Sequence, residues 1–200
     1  KSDGKVRYFG VSNLNPEQMD LYRSHFEVSC LQPAYSLLDR GIEARELPYC
    51  LNHNIGVINF SPLFRGLLGG KYTADSTIDG TRANGPLFRG EGLRIMVEAI
   101  DKAKEIAADH DLTVAQLAMR WTLTNPAITS AIAGVKKPEH IIGTVKAADD
   151  VLSQKVWYQS WVMRGPWWPP MSQGMPCLLA HCMLIPQLPR WNRSSNGRRR

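Results

Sequence analysis

Hydroxyl and carboxamide side chains stand at the ends of apolar stretches that we predict to be strands. "KVRYFGVSN" closes on Ser12 and Asn13, and "VSCLQ" closes on Gln32. Ser61 follows "IGVINF" in the same way. A carboxamide presents a donor and an acceptor side by side, which suits pairing with another amide. Tyr35 adds an aromatic ring just past Gln32, so the set predicts binding of a flat, amide-bearing ligand. The alternative is that each polar residue only caps a helix.

Two glycine-containing segments carry groups that bind anions. "SPLFRGLLGGK" combines backbone N–H groups around Leu63 with the cations Arg65 and Lys71. "AGVKKPEH" places Lys136 and Lys137 before a helix opened by proline, where the helix dipole also favours an anion. Neither segment is a P-loop or a dinucleotide-binding fingerprint. We therefore expect phosphate subsites here, with solvated surface lysines as the alternative for the second segment.

The elements that must position these residues alternate between strand and helix. Strands are predicted at residues 6–13, 28–32, 55–60 and 128–134. Two helices are predicted to follow the capping boxes Asn15–Gln18 and Thr113–Gln116. Two more are predicted at residues 43–54, with a kink at Pro48, and at residues 93–108. The last predicted helix begins at Pro138 and includes Ile141, Ile142 and Val145. The glycine-rich stretch 66–92 is predicted to be a functional loop.

The order of these elements predicts a parallel sheet. The strands are apolar runs, so we expect helices to cover both faces. Half of an eight-fold (β/α)8 barrel and a small doubly wound sheet both satisfy this pattern. Ligands bind at the carboxyl ends of the strands in either fold, which is where the polar residues fall.

Charge and cysteine usage restrict the function classes. The net charge is +6, but the first 155 residues are neutral and the excess lies in the last 45. A basic nucleic-acid surface on the folded body is therefore not expected. No apolar run approaches the 20 or so residues of a membrane span, and no signal peptide opens the sequence. Four cysteines without a disulfide pattern indicate reduced thiols in the cytoplasm.

Residues 156–200 form a second segment of different composition. It holds five of the six tryptophans and no acidic residue. We predict a domain at 1–155 followed by an irregular, disordered tail, which an altered reading frame would explain. A Trp/Arg-rich surface for membranes or nucleic acid is the alternative. Cys177, His181 and Cys182 have irregular spacing and only three possible ligands, so no metal site is expected.

Four motifs together are similar to the aldo-keto reductase superfamily. They are "GKVRYFGVSN", "LQPAYSLLDR", "GVINFSPLFRGLLGGKY" and "AIAGVKKPEH". The chain resembles the C-terminal half of that family's barrel over about residues 1–152. The most similar branch includes aryl-alcohol-type oxidoreductases and potassium-channel β subunits. The resemblance implies an α/β fold that is a partial TIM barrel, with barrel strands five to eight present.

The resemblance also implies a role for each matching residue in binding NADP(H). Ser12, Asn13 and Gln32 would hold the nicotinamide carboxamide, and Tyr35 would stack on the ring. The pyrophosphate clasp would comprise Ser61, Pro62, Leu63, Arg65, Gly66 and Lys71, with Arg82 as a further contact from the covering loop 66–92. Gly134 and Lys136 would bind the adenosine ribose and its 2′-phosphate, which favours NADP(H) over NAD(H).

Several positions depart from the family pattern. The Glu-Asn pair that usually contacts adenine is replaced by Gly143 and Thr144, and the preceding Arg or Gln is His140. The family's catalytic Asp, Tyr, Lys and His belong to strands two to four, which would lie upstream of residue 1. No catalytic residue is therefore assigned within this chain.

Three hypotheses follow. The chain is a segment of an NADP(H)-dependent reductase of small carbonyl compounds, or a non-catalytic module that binds a nucleotide or a partner, or a nonfunctional fragment. Half a barrel leaves open sheet edges and an uncovered inner face, which predicts self-association. Neither nucleic acid nor membrane is expected as a partner.

Overall fold

The computed structural model describes residues 1–148 together with 152, 153 and 156. They lie within the first of the two compact units of the chain, Lys1–Gly165. The strands are β1 (Phe9–Ser12), β2 (Val28–Gln32), β3 (Gly56–Phe60) and β4 (Ile128–Ile132). The α-helices are α1 (Pro16–Arg23), α2 (Glu46–Asn52), α3 (Gly90–Ala108), α4 (Val114–Thr124) and α5 (Pro138–Lys146). Short 3₁₀ turns occupy Gly41–Glu43, Phe64–Gly69, Gly80–Asn84 and Pro86–Phe88.

The four strands form one parallel sheet in the order β1-β2-β3-β4. This confirms the parallel sheet predicted from the alternation of elements. A doubly wound sheet requires the strand order to reverse, and here it never does. Because crossovers between parallel strands share one hand, an unreversed order sends every crossover to the same side of the sheet. The arrangement is that of part of a barrel wall.

Burial along the strands shows which face the helices cover. Val11, Leu31 and Val57 are in register and point to the helix side, where Leu31 and Val57 are fully buried. The opposite side, which we call the open face, carries Gly10, Ser12, Cys30, Gln32, Gly56, Ile58, Phe60, Ser130 and Ile132. These residues are all exposed or partly exposed. The expectation that helices cover both faces is therefore wrong, because all the crossovers run on one side.

Gly10 of β1 shows how closely the strands pack on the open face. A Cβ at this position would lie 2.4 Å from the Sγ of Cys30 on β2. The pairing of β1 with β2 shifts register just before this point, between Phe9 and Gly10. A larger residue at position 10 would therefore require the side chain of Cys30 to move.

The hydrophobic core lies between the sheet and helices α1, α2 and α4, and α3 packs against α4. The periodicity of 93–108 is confirmed, since Leu93, Val97, Ile100 and Ala107 are all buried. Helix α4 adds the fully buried Trp121. Both predicted capping boxes are present, with reciprocal hydrogen bonds between residues 15 and 18 and between residues 113 and 116. These boxes satisfy N–H groups that the first helical turn leaves without partners.

Several predicted boundaries are corrected. Strand β1 begins at Phe9 rather than at residue 6, because its neighbour β2 offers no partner before Val28. The predicted helix 43–54 is a 3₁₀ turn followed by α2 from Glu46. Pro48 therefore lies in the first helical turn, where its missing N–H costs no hydrogen bond and no kink is needed. Strand β4 ends at Ile132 instead of residue 134.

Helix α5 forms where predicted but does not bury its apolar residues. Ile141, Ile142 and Val145 are 50%, 60% and 58% exposed. The helix follows the last strand of the sheet, so there is no fifth strand in the described residues for it to cover.

Three further predictions concern cysteines, metals and membranes. Cys30 and Cys50 are free thiols, while Cys177 and Cys182 lie outside the described residues, as does nearly all of the predicted tail. The described part of the chain contains no cluster of three metal-ligating side chains. None of its helices has the length and apolar character needed to cross a membrane.

Candidate functional site

The carboxyl ends of β1 and β2 bring three of the predicted residues together. The hydroxyl of Ser12 donates a hydrogen bond to the backbone carbonyl of Gln32 over 2.8 Å. The backbone N–H of Asn13 donates to the same carbonyl over 3.1 Å. Ser12 and Asn13 are exposed and Gln32 is half-buried. Ser12, Asn13 and Gln32 thus lie together at the corner where β1 and β2 end. We call the edge of the sheet formed by the carboxyl ends of the strands the rim.

Backbone conformation marks the rim as specialised. Asn13, directly after β1, has φ 53°, and Ser61, directly after β3, has φ 57°. Phe64 and Arg65 in the following loop have φ 45° and 52°. Residues with a Cβ adopt this left-handed region at an energetic cost, and such residues concentrate at functional sites. The chain therefore turns sharply at the same edge of two strands, which leaves the strand ends accessible.

Phe60 is a rim residue that the sequence analysis missed. It is the last residue of β3 and lies on the open face, in register with Ile132 of β4. It is partly exposed. It pairs with Ala34, so its ring lies past Gln32 toward the carboxyl ends of the strands, on the same face of the sheet. The signal that could have found it is the alternation of side chains along a strand, which puts Gly56, Ile58 and Phe60 on one face.

Tyr35, in contrast, is not at the rim. The residue is completely buried, and its ring packs against Trp121 at a centroid distance of 5.2 Å. Its hydroxyl donates to Glu43 over 2.7 Å and accepts from Asn125 over 3.0 Å. Burial, followed by the negative charge of Glu43, raises the pKa of Tyr35 well above that of an ordinary tyrosine. The stacking role expected of Tyr35 is therefore contradicted, because no face of the ring is open.

A loop after β3 carries the residues predicted to bind pyrophosphate. Pro62 is buried, and Leu63 accepts hydrogen bonds from the N–H groups of Gly66 and Leu68. Ser61 likewise accepts from the N–H of Phe64 over 2.9 Å. These consecutive turns fix the loop tightly at the rim. They also engage three N–H groups internally, so fewer remain for an anion than the sequence suggested.

The side chain of Arg82 contacts this loop, although Arg82 is seventeen residues beyond Arg65 in the sequence. Its Nη1 donates to the carbonyl of Arg65 over 2.9 Å and to the hydroxyl of Tyr72 over 3.3 Å. Gly66 has φ 96°, and a Cβ there would lie 3.3 Å from the same Nη1. The structure thus places Arg82 against two of the predicted clasp residues, which makes it a stronger candidate than the sequence alone implied.

The other cations of the loop point toward aromatic rings. The exposed guanidinium of Arg65 lies 5.2 Å from the ring centre of Phe88, which also stacks on Phe64. The exposed Lys71 lies 5.0 Å from the ring centre of Tyr72. Such contacts orient a cation without neutralising it. Three positive side chains, Arg65, Lys71 and Arg82, therefore surround the segment after β3.

The residues after β4 form a separate exposed group. Gly134, Lys136 and His140 are all exposed. They follow the strand next to β3, so they leave the sheet at the same edge as Ser61. No hydrogen bond among the described residues joins them to the loop after β3. The structure therefore places them at the same edge without bringing them into contact with the predicted clasp.

The two positions that replace the family's adenine contacts are engaged within the fold. Gly143 accepts a hydrogen bond from the side chain of Gln116 over 3.2 Å. The hydroxyl of Thr144 donates to the carbonyl of His140 over 2.7 Å, within its own helix. Both residues are half-buried. Neither offers a free polar group equivalent to a carboxylate or a carboxamide.

A cleft of about 300 Å³ lies beside the rim. Its lining residues are Asn13, Leu14, Asn15, Gln18, Pro33, Ala34, Asp39, Ile42 and Glu46. Burial raises the pKa of the Asp39 carboxyl, and a hydrogen bond from the backbone of Gly41 partly opposes this. Asn15 and Gln18 use their side chains in the capping box of α1. Asn13 therefore joins the rim to this cleft.

Hydrogen bonds of the tyrosine hydroxyls bear on proton transfer, since a tyrosine is one of the side chains that can donate a proton. None of these hydroxyls in the described residues is hydrogen-bonded to a lysine or histidine side chain. Tyr8 is 72% exposed, and Tyr35 is enclosed in the core. The structure thus places Ser12, Asn13, Gln32 and Phe60, as candidate binding residues, at one edge of the sheet.

Comparisons with known proteins agree with this geometry. The profile of the aldo/keto reductase family matches residues 1–160. The chain is 33% identical over 153 residues to the NADH-specific methylglyoxal reductase of Escherichia coli K12, covering 76% of this chain and 47% of that protein. It is 35% identical over 138 residues to the aldo-keto reductase YhdN of Bacillus subtilis, covering 68% and 42%. The chain spans about half the length of the curated relatives it matches.

A solved structure gives the same result at the level of the fold. The glycerol dehydrogenase AKR11B4 from Gluconobacter oxydans superimposes with a TM-score of 0.76 at 32% identity, over 81% of this chain and 50% of that one. The parallel sheet, the one-sided helices and the half-length match are those of part of a TIM barrel. The chain therefore belongs to the aldo/keto reductase family of oxidoreductases.

Proposed function

We propose that the chain is the cofactor-binding part of an NADP(H)-dependent reductase of small carbonyl compounds, and that β1 to β4 correspond to barrel strands five to eight. The observation that carries the proposal is the meeting of Ser12, Asn13 and Gln32 at one corner of the rim. Phe60 on the adjacent strand β3, opposite Ala34, supplies an aromatic surface on the same face of the sheet as Gln32. Carboxamides suit the amide of a nicotinamide, and an aromatic ring suits its flat heterocycle.

Each part of the site has a distinct task in this proposal. Asn13 and Gln32 pair with the carboxamide, while Phe60 supports one face of the ring. Arg65, Lys71 and Arg82 supply positive charge for the pyrophosphate, as arginine and lysine commonly do. The accessible rim, with its strand ends free of covering helices, fits a dinucleotide laid along the edge of the sheet.

The adenine end is predicted to be held weakly. Lys136 supports a preference for a 2′-phosphate, since an exposed ammonium pairs with a phosphate dianion. Gly143 and Thr144 contribute nothing comparable to the adenine, because their polar groups are already bonded within the fold. We therefore expect cofactor affinity to come mainly from the nicotinamide and phosphate contacts.

Turnover requires residues that this chain does not contribute. When bound, a reduced nicotinamide supplies a hydride to a carbonyl carbon. The developing alkoxide then needs a positioned proton donor, which is worth about 10²–10⁴-fold in rate. The resemblance assigns that role to Asp, Tyr, Lys and His residues located upstream of residue 1. We accordingly propose that the 200-residue chain binds the cofactor and that reduction of the substrate requires a complete barrel. A cytoplasmic location belongs to the same proposal, supported by the free thiols Cys30 and Cys50.

The test is a titration of the 200-residue chain with NADPH and NADH, followed by cofactor fluorescence. Binding with NADPH preferred is expected, and no binding of either cofactor contradicts the proposal. Phe60→Leu removes the stacking surface while keeping an apolar side chain, and should weaken binding about tenfold. Phe26→Leu is the matched control, because Phe26 is also partly exposed but precedes β2, at the opposite edge of the sheet. NADPH-dependent reduction of 4-nitrobenzaldehyde should be absent, and measurable turnover by the chain alone would contradict the assignment of roles.

A further inference from the structure

Asn59 of β3 carries a carboxamide that is enclosed completely in the core. Its side chain has no exposed surface, and the other buried polar or charged residues in the described part of the chain are Ser36, Arg40 and Thr122. The Nδ2 group of Asn59 donates a hydrogen bond to the backbone carbonyl of Tyr35 over 2.9 Å. Its Oδ1 atom accepts no hydrogen bond from the described residues. Because a buried acceptor without a partner costs stability, packing alone does not explain an asparagine at this position.

This hydrogen bond lies where the pairing of β2 with β3 is interrupted. Cys30 pairs with Gly56 before the interruption. Ala34 pairs with Phe60 after it, with the same offset between residue numbers. Pro33 lies between the two pairs and has no N–H group to donate to β3. The buried carboxamide adds a hydrogen bond between the same two segments, and it thereby compensates for the bond that proline cannot make.

Three hydrogen bonds join the end of β3 to the segment after β2. The N–H of Phe60 donates to the carbonyl of Pro33 over 2.9 Å, and the carbonyl of Phe60 accepts from the N–H of Tyr35 over 3.2 Å. The third is the bond from Asn59 to the carbonyl of the same tyrosine. Directly after Phe60 the chain enters the left-handed turn at Ser61, which has φ 57°. These bonds therefore fix the last regular residue of the strand before a sharp turn.

Tyr35 is a firm attachment point for Asn59. Its ring packs against Trp121 of α4, and its hydroxyl donates a hydrogen bond to Glu43. Side chains alternate along a strand, so Asn59 lies on the helix side of the sheet while Phe60 lies on the open face. The carboxamide thus holds the backbone of Phe60 from the core side and leaves its ring uncovered.

We propose that Asn59 is a positioning residue for the nicotinamide end of the cofactor. Through the carbonyl of Tyr35 it fixes the backbone of Phe60, and it thereby sets the position of the ring at the rim. Asn59 does not touch the cofactor itself. The inference rests on the proposed function, in which the ring of Phe60 supports one face of the nicotinamide. A carboxamide with a purely structural role would contribute to stability without affecting this ring.

The position of the ring can be measured without cofactor. 4-Trifluoromethylphenylalanine introduced at position 60 gives one ¹⁹F resonance that reports on the surroundings of this ring. Asn59→Leu removes the bond to Tyr35 and keeps a side chain of comparable size, so the resonance should shift and broaden. Val57→Ala is the matched control, because Val57 is fully buried on the same face of β3 but lies before the interruption. The control should destabilise the protein and leave the resonance unchanged.

The ¹⁹F comparison has clear contrary outcomes. A resonance that responds to neither variant, or equally to both, would overturn the proposal. If Asn59→Leu fails to fold by circular dichroism, Asn59→Ala replaces it, because a smaller side chain adds no volume to the core. Asn59→Ala should then produce the shift and broadening expected of Asn59→Leu.

Binding measurements separate positioning of the ring from a general loss of stability. Isothermal titration calorimetry compares NADPH with 2′-phospho-ADP-ribose, which lacks the nicotinamide. Asn59→Leu should weaken NADPH binding about threefold to tenfold, which is the range expected for an aromatic contact, and should change binding of the nicotinamide-free nucleotide by less than about twofold. Equal weakening of the two nucleotides would overturn the proposal, since it would indicate general damage to the site.

A double variant tests whether Asn59 acts through Phe60. With the ring already removed in Phe60→Leu, the further change Asn59→Leu should weaken NADPH binding by less than about twofold. Additive losses would mean that Asn59 affects the cofactor by another route and would overturn the proposal. If the unaltered chain binds neither nucleotide, the proposed function fails, and the ¹⁹F comparison alone decides whether Asn59 sets the position of the ring.

Discussion

The hydroxyl of Tyr35 lies 2.7 Å from a carboxylate oxygen of Glu43, inside the core and away from the rim. Arg40 completes this buried group through two hydrogen bonds to the same carboxylate, and its guanidinium lies 5.0 Å from the ring centre of Trp121. The carboxylate is thus compensated by a buried cation and a phenol. This arrangement fixes the segment between β2 and α2, which leads from the rim back to the core.

Tyr35→Phe should therefore destabilise the protein. The substitution leaves the carboxylate of Glu43 and the amide of Asn125 each without one partner, which costs about 1–3 kcal/mol when the groups are buried. Urea unfolding followed by circular dichroism measures the effect. Tyr8→Phe is the matched control and should change the free energy of unfolding by less than about 0.5 kcal/mol, because Tyr8 is 72% exposed. Equal effects for the two variants would contradict the structural role of Tyr35.

Asn13→Asp should reduce nicotinamide binding. The change keeps the size of the side chain but removes its N–H donors, so an amide ligand loses one hydrogen bond. We expect about a fivefold to tenfold weaker affinity for NADPH, measured by fluorescence titration. Asn54→Asp is a closely matched control, since Asn54 has φ 54° and is also exposed, but precedes β3 at the opposite edge of the sheet. Weakening by both variants alike would indicate a general effect of charge.

Lys136→Ala should alter the choice between the two cofactors. Removing the ammonium should weaken NADPH binding about threefold to tenfold and leave NADH binding nearly unchanged, because only NADPH carries the 2′-phosphate. The ratio of the two dissociation constants is the measured quantity. Lys136 lies just before α5, and Lys146→Ala at the last residue of α5 removes an equal charge from the far end of that helix, which should leave the ratio unaltered. A ratio unaffected by Lys136→Ala would exclude this residue from the phosphate site.

The buried thiol of Cys50 should make the folded protein less stable at alkaline pH. Burial, with a smaller contribution from the charge of Glu46, raises the pKa of this thiol to about 11. An unfolded thiol titrates near pH 8.5, so above that pH the unfolded chain releases a proton that the native chain retains. Stability attributable to this group is therefore complete below about pH 8.5 and declines as the pH rises toward 11.

Cys50→Ala isolates this contribution. The variant loses some stability at every pH because a buried side chain is shortened, but its stability should depend less on pH than that of the unaltered chain. Unfolding measured between about pH 8.5 and 9.8 avoids the titration of ordinary tyrosines near pH 10. Parallel stability curves for the two proteins across this window would contradict the raised pKa.

Much of the fold was predictable because the signals are local. The capping boxes at Asn15 and Thr113 and the apolar periodicity of α3 depend on residues a few positions apart. Apolar runs separated by helices require parallel strands, and parallel neighbours place their carboxyl ends at one edge. The meeting of Ser12, Asn13 and Gln32 follows from that geometry without further information.

The amino-acid sequence by itself therefore determined the order of elements, the parallel sheet and the set of polar strand ends. Only the tertiary structure decided that the ring of Tyr35 lies in the core while Phe60 lies on the open face of the sheet. It also decided that helices cover one side of the sheet and that the isoleucines of α5 are exposed. The physical reason is that burial of a side chain depends on which distant elements pack against it. An aromatic or apolar residue has the same local pattern whether its neighbour is a helix, solvent or a second chain.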